Sequence, residues 1–316
     1  MPQAKKLIEV ALPIKEISAE SVRDKSIRHG HISTLHLWWA RRPLPVCRGV
    51  VFASLVPDPE DEHCPQAFRD AVDLLLGPKN NVDYYKPYDD IPYTAAHDPM
   101  EDTRRNRLLM FIGKFSNKFI ENEKKGKNTP AKDKLSPHSL ITWDNKNNEK
   151  ILQIARKLIW VAHNSSPFEG GKAGRAGQGD DRTAQELLAD FDRHWQAIKK
   201  AEQELYNIED RHIPSEEVTE REKELNVMIG AFLDKMPKIF DPFAGGGAIP
   251  LEAARLGCRS YGNDLNPVAH IIQRGSLEFP QKFGKPIRYS KKAFIEKYGR
   301  PLMAFPVRPT YMKTVM

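Results

Sequence analysis

Lys238-Ile239-Phe240-Asp241-Pro242-Phe243-Ala244-Gly245-Gly246-Gly247-Ala248-Ile249-Pro250 is the stretch on which the reading of this 316-residue chain turns. Ile239 and Phe240 read as the end of a buried strand. Three glycines follow, and a backbone without Cβ bends with φ > 0 and can lie directly against a ligand. Ala248 to Leu256 then reads as a helix. A strand, a glycine turn and a helix N-terminus make a nucleotide-type binding edge at the carboxyl end of a sheet strand. A second strand, Arg259-Ser260-Tyr261-Gly262-Asn263, ends on Asp264. That carboxylate lies 23 residues beyond Asp241, near the roughly 20-residue spacing at which a Rossmann-type unit sets an acid on ribose hydroxyls. Val268 to Ser276 is the expected second helix of this α/β unit.

Asp241 to Gly247, Asp-Pro-Phe-Ala-Gly-Gly-Gly, resembles the first motif of amino-group DNA methyltransferases, Asp-Pro-Phe-x-Gly-x-Gly, which binds S-adenosylmethionine. Asn263-Asp264-Leu265-Asn266-Pro267 looks like the second motif of that family. A dehydrogenase would show Gly-x-Gly-x-x-Gly, and Pro250 stands where that pattern wants its last glycine. The resemblance implies a cofactor loop of Asp241, Pro242, Phe243, Ala244, Gly245, Gly246 and Gly247. In it Asp241 would hold the methionine amino group and the glycines would line the methionine moiety. It further implies that Asp264 takes the ribose, with Leu265 against the adenine and Asn266 beside it.

A second informative stretch runs from Arg23 to Arg48, with six Lys or Arg against one acid and three histidines and two tryptophans interleaved. Leu44 to Leu55 reads as a buried helix, with Pro43 and Pro45 suited to its first turn. Trp38-Trp39-Ala40-Arg41-Arg42-Pro43-Leu44 resembles the tenth motif of the same methyltransferases, which packs beside the glycine loop. By that resemblance Trp39, Arg41 and Arg42 join the cofactor residues, the arginines as ligands of a carboxylate or phosphate. Over residues 5–58 the chain is similar to the N-terminal domain of unknown function of large adenine-specific DNA methylases, some associated with anti-phage systems. Trp38 and Trp39 also suit a packed core. His29, His31 and His36 lack a fourth ligand nearby, so no metal is expected.

Composition sets the frame. A net charge of +7 favours a polyanionic partner. Apolar runs are too short to cross a bilayer, and no apolar segment follows Met1 to Lys6 as a secretion signal would require. Three scattered cysteines, Cys47, Cys64 and Cys258, fit a reducing cytoplasm and no zinc spacing.

The remaining chain reads mostly as helix and loop. Pro13 interrupts the apolar residues of 1–22, leaving an extended arm or a strand. Gln66 to Leu76, Arg104 to Lys125 and Ile151 to Ala162 are expected helices. Asp90-Ile91-Pro92-Tyr93 superficially resembles the catalytic Asp-Pro-Pro-Tyr of the family, but it lies between the cofactor motifs and departs from the pattern. Glu169 to Asp181, with five glycines, reads as a flexible linker. Thr183 to Asp210 reads as a long charged helix of a hairpin arm, or of a dimerising coiled coil. Residues 282–313 carry nine Lys or Arg against one acid, a footprint suited to phosphates.

The expected fold class is α/β: an incomplete Rossmann-like S-adenosylmethionine methyltransferase unit, with a mostly helical N-terminal region and a helical insertion. The expected organisation is an N-terminal domain over 1–60, an insertion over 61–235, a cofactor unit over 236–280 and a basic tail over 281–316. No Asp-Pro-Pro-Tyr follows Asp264, so the catalytic residues remain unassigned. The expected partners are DNA and an additional methyltransferase segment or subunit, with no membrane. A non-catalytic nucleic-acid-binding or assembly subunit is the alternative.

Overall fold

Apolar residues at helical spacing dominate the first two thirds of the chain, and the computed structural model folds them into a helical body that carries a small parallel sheet. It describes residues 4–27, 31, 38, 42–77, 101–165, 182–209 and 215–280, with backbone only at 206–209 and 215–218. Trp39, Arg41, His29, His36, Asp90 to Tyr93, the 169–181 stretch and the basic 282–313 stretch lie outside those residues.

The N-terminus corrects one expectation. It is helical, as α1 (Leu7–Val10) and α2 (Ile14–Ser26). Pro13 does not break a helix here, because it stands at the N-cap of α2, where its missing N–H costs nothing. Helix α3 (Leu44–Leu55) follows, with Pro43 at its N-cap and Pro45 in its first turn. Helix α4 (Gln66–Leu76) starts after Pro65 and stops at Gly77.

The amphipathic stretch from Arg104 to Lys125 is two helices, α5 (Arg104–Ile112) and α6 (Asn117–Lys124). At the break the chain pairs with a distant segment, the Phe111 and Ile112 carbonyls accepting from the Leu140 and Ile141 N–H groups, and a Cβ on Gly113 would stand 2.9 Å from the Glu16 Cβ and 3.0 Å from the Ile141 Cδ1. Phe115 bridges to Leu135, and the Ser116 hydroxyl accepts from the Phe119 N–H at 3.1 Å to start the second helix. A 3-10 turn at Trp143–Asn147 leads into α7 (Glu149–Asn164).

Helix α8 (Ala184–Glu209) opens on Thr183, whose N–H and hydroxyl both donate to Glu186. Helix α9 (Ser215–Asp234) returns along it, which makes the pair a helical hairpin. Phe191 and Trp195 of α8, Trp160 of α7 and Phe232 of α9 form an aromatic cluster with ring centroids 5.3 to 5.8 Å apart.

Strand β1 (Lys238–Asp241), helix α10 (Ala248–Arg255) and strand β2 (Arg259–Gly262) form a β-α-β unit. Its strands pair in parallel, with Lys238 opposite Arg259 and Phe240 opposite Tyr261. Helix α11 (Pro267–Gln273) runs on into a π-helical turn at Arg274–Glu278. One apolar core extends from Leu7 through the helices to Ala253, Leu256 and Cys258, so the unit sits on the helical body through α10.

The expectation of a buried first strand is corrected. Phe240 is 63% exposed and its neighbour Tyr261 46%. Helix α10 packs against both strands, and among the described residues the face that carries these two rings is left largely open. Parallel sheets are ordinarily covered on both faces.

Candidate functional site at the glycine turn

The turn after β1 is shaped by backbone that only glycine adopts cheaply. Gly245 has φ 52° and Gly247 φ 80°, both in the left-handed region. Gly247 is the N-cap of α10, and its N–H donates to the Ala244 carbonyl at 2.8 Å. The turn is stitched to the end of β2: the Ala244 N–H donates to the Asn263 carbonyl and the Asn263 N–H to the Asp241 carbonyl, each at 2.9 Å.

Asp264 is the hinge between the two motifs. One carboxylate oxygen accepts from the Gly245 N–H at 2.8 Å and the other from the Asn266 N–H at 2.9 Å. The carbonyl of the same Gly245 accepts from the Gln273 side-chain amide at 3.1 Å. Asn266 caps α11, its side chain accepting from the Val268 N–H at 2.9 Å, with Pro267 in the first helical position. Asp241, half-buried at the end of β1, accepts from the Phe243 N–H at 3.0 Å. Phe243 and Leu265 project outward, 75% and 92% exposed, and Pro242 is exposed between them. Ala244 is buried.

The N-terminal region reaches this turn directly. Trp38 is buried against Ala269 and Ile272 of α11. A Cβ on Gly245 would stand 2.7 Å from its indole Nε1, and one on Gly246 would stand 3.5 Å from its Cβ. Leu44 and Cys47 of α3 pack with Ala248 and Leu251 of α10. Arg42, exposed just before α3, lies close enough to Cys47 to act on its thiol, as does Asp241. Burial, with the charges of Glu252, Asp241 and Asp24 added, pushes that thiol up to about 12 against the opposing pull of Arg42. It is an inert, protonated core group.

Behind the turn lies a buried ion cluster. Arg48 of α3 donates from Nε to Glu252 of α10 at 2.5 Å and from Nη1 to the Leu140 carbonyl at 2.9 Å. Arg255 also donates to Glu252. Burial acts to raise the Glu252 carboxyl, but Arg255 and Arg48 outweigh it and hold it below the usual range. The neighbouring turn adds Trp143, whose ring stacks on His31 at 5.2 Å and carries the Lys146 ammonium 3.4 Å from its centre. His31 pairs with Asp24 at 3.1 Å, both side chains fully buried. Among the described residues no group of His, Cys, Asp and Glu could hold a metal.

Asp241, the glycine loop and Asp264 thus lie around one edge, the carboxyl end of the two strands, and Arg42 lies near Cys47 of α3, which packs on α10 behind the loop. Three participants escape inspection of the sequence. Arg48 and Glu252 carry one signal, since a charge inside an apolar helix such as Val46 to Phe52 needs a buried partner. Gln273 carries none.

A family model described as a protein of unknown function (DUF1156) matches residues 11–74, the segment that supplies α2, Trp38, Arg42, α3 and most of α4. No curated protein and no solved structure matches the chain.

Proposed function

We propose that this chain carries the S-adenosylmethionine-binding part of a DNA methyltransferase acting on an exocyclic amine, adenine N6 by resemblance of the motifs. The observation that carries the proposal is the charge at the glycine turn. A glycine turn leading into a helix ordinarily offers its free N–H groups to a phosphate. Here the Gly245 N–H is already given to the Asp264 carboxylate, and Asp241 stands at the other side of the turn. Two carboxylates at this edge repel a phosphate and attract a cation. S-adenosylmethionine is a cation there, with a sulfonium and an ammonium group, and Arg42 is the nearby group suited to its carboxylate.

Asp241 would hold the ammonium, Gly245 to Gly247 would line the methionine chain, and Asp264 would keep lone pairs for the ribose hydroxyls. Leu265, fully solvent-facing, would cover the adenine. The β-α-β unit is then the first part of a Rossmann-like sheet. Among the described residues it has two strands, fewer than such a sheet holds, which supports the reading that a further segment or subunit adds strands and supplies the catalytic residues. In the complete enzyme the target base would be flipped out of the duplex. Its amine would attack the sulfonium methyl, with the protein providing alignment and an acceptor for the amine proton.

Calorimetric titration tests the cofactor reading. S-adenosylmethionine should bind the wild-type chain in the micromolar range and Asp241→Asn more weakly, while ATP and NAD should bind poorly. A folded chain that takes ATP or NAD in preference to S-adenosylmethionine refutes it. Transfer of labelled methyl groups to DNA by this chain alone would remove the need for a further segment.

A further inference from the structure

A glycine turn is a costly element to order, because glycine loses more conformational freedom on fixing than any other residue. This turn is fixed by an unusual arrangement at a single residue. Both backbone groups of Gly245 are held by side chains of the segment that follows β2: its N–H by Asp264 and its carbonyl by Gln273. Gln273 is almost fully buried and lies on the last turn of α11. Its Cγ would stand 3.1 Å from a Cβ on Gly247, and its Oε1 would collide with a Cβ on Gly262, the last residue of β2. Glycine at 262 therefore leaves room for the Gln273 amide. The π-helical turn that begins at Arg274 also brings Leu277 toward the loop, its Cδ1 at 3.7 Å from the Gly247 Cβ position. One-turn π segments recur where a helix must aim side chains at a functional site.

We propose that Gln273 is a positioning residue for the cofactor loop, which it locks through the Gly245 carbonyl into its ligand-ready form before any ligand arrives. The inference rests on the cofactor reading only for its consequence, tighter binding. The clamp itself is a property of the free chain. A loop ordered in advance binds with less entropic loss, so removing the clamp should weaken binding without removing a ligand contact.

Two variants test it. Gln273→Met keeps length and bulk but cannot donate to the Gly245 carbonyl. Amide hydrogen exchange at Gly245 to Gly247 should quicken by about 3- to 10-fold, the range of one hydrogen bond, while exchange in α7 and α10 stays at wild-type rates. The dissociation constant for S-adenosylmethionine should rise by a similar factor. Gln273→Glu supplies a donor only when protonated. Its loop exchange, taken relative to wild type at each pH, should be near normal in acid and rise as the carboxyl ionises. Packing alone has no such pH profile.

Loop exchange in folded Gln273→Met equal to wild type overturns the proposal. So does a flat profile for Gln273→Glu, which also decides the matter should the methionine variant fail to fold. A wild-type loop that is protected yet does not bind S-adenosylmethionine sinks the cofactor reading and leaves the clamp standing.

Discussion

Replacing Arg48 by Met should destabilise the chain by about 3 kcal/mol, and the geometry says why. The side chain is 1% exposed and spans three elements, joining Glu252 of α10 to the backbone at Leu140 and Thr142. Breaking a buried ion pair from one side ordinarily costs about 3–5 kcal/mol, and a stranded buried carbonyl about 1–3 kcal/mol more. Arg255 still neutralises Glu252 in the variant, which takes the loss below the sum of these costs, to about 3 kcal/mol. For a chain of this size a urea slope near 3 kcal/mol/M is reasonable, so the midpoint should fall by about 1 M. Glu252→Leu should cost less in the Arg48→Met background than alone, because one of its two cations is already gone. Additivity within about 0.5 kcal/mol would refute the idea that the two act as one unit. The effect also has a pH signature. Glu252 is held below its ordinary 4.5, so its contribution is present above that value and is lost as pH falls through the lower folded one. The gap between wild type and Arg48→Met should therefore narrow in acid.

Two further outcomes are expected. Gly245→Ala forces an L-residue into the left-handed region, costing about 1–2 kcal/mol, and drives its Cβ into the Trp38 indole at 2.7 Å. Its melting temperature should fall well below that of Gly246→Ala, whose Cβ meets Trp38 at an ordinary 3.5 Å; equal melting temperatures would contradict the close approach. Lys146 is depressed to about 8 by burial and by the neighbouring Arg255 and Arg48. Between that value and 10.5 the folded chain binds fewer protons than the unfolded one, so stability rises with pH. Urea midpoints of wild type measured against Lys146→Met across this window should rise, and a constant difference would show that the ammonium is not confined as described.

How far the fold could be read from the sequence depended on whether the signal was local. Proline marked the helix start at 44 because its effect on the backbone needs no tertiary context. Asp241, the three glycines and Asp264 were legible for the same reason. Pro13 misled because the same residue that breaks a helix interior also suits a helix start. The break at Gly113 was hidden because the backbone around it pairs with residues 134–141, which are distant in sequence. Phe240 looked like core since strand residues of that type usually are; its exposure follows from which elements cover the sheet. Gln273 is one polar residue among many on helix surfaces, and only the fold turns it toward Gly245.

The distance between the two informative stretches has a physical meaning. A two-stranded parallel sheet has too little buried surface to stand alone, and β1 and β2 are anchored chiefly through α10, with Arg259 of β2 also paired to Asp234 of α9. That helix is held by α3, by the Leu44–Cys47–Ala248–Leu251 contacts and by the Arg48–Glu252 pair. Trp38 then presses on the glycine turn from the same side. The turn is thus fixed from two directions, by the segment before α3 and by the segment after β2, although some two hundred residues separate them. The stretch that matches a family of unknown function is therefore a wall of the proposed cofactor edge. A change at Arg48 or Trp38 should reach the glycine turn as surely as one at Asp264, because the same few side chains carry both the stability of the unit and the shape of its loop.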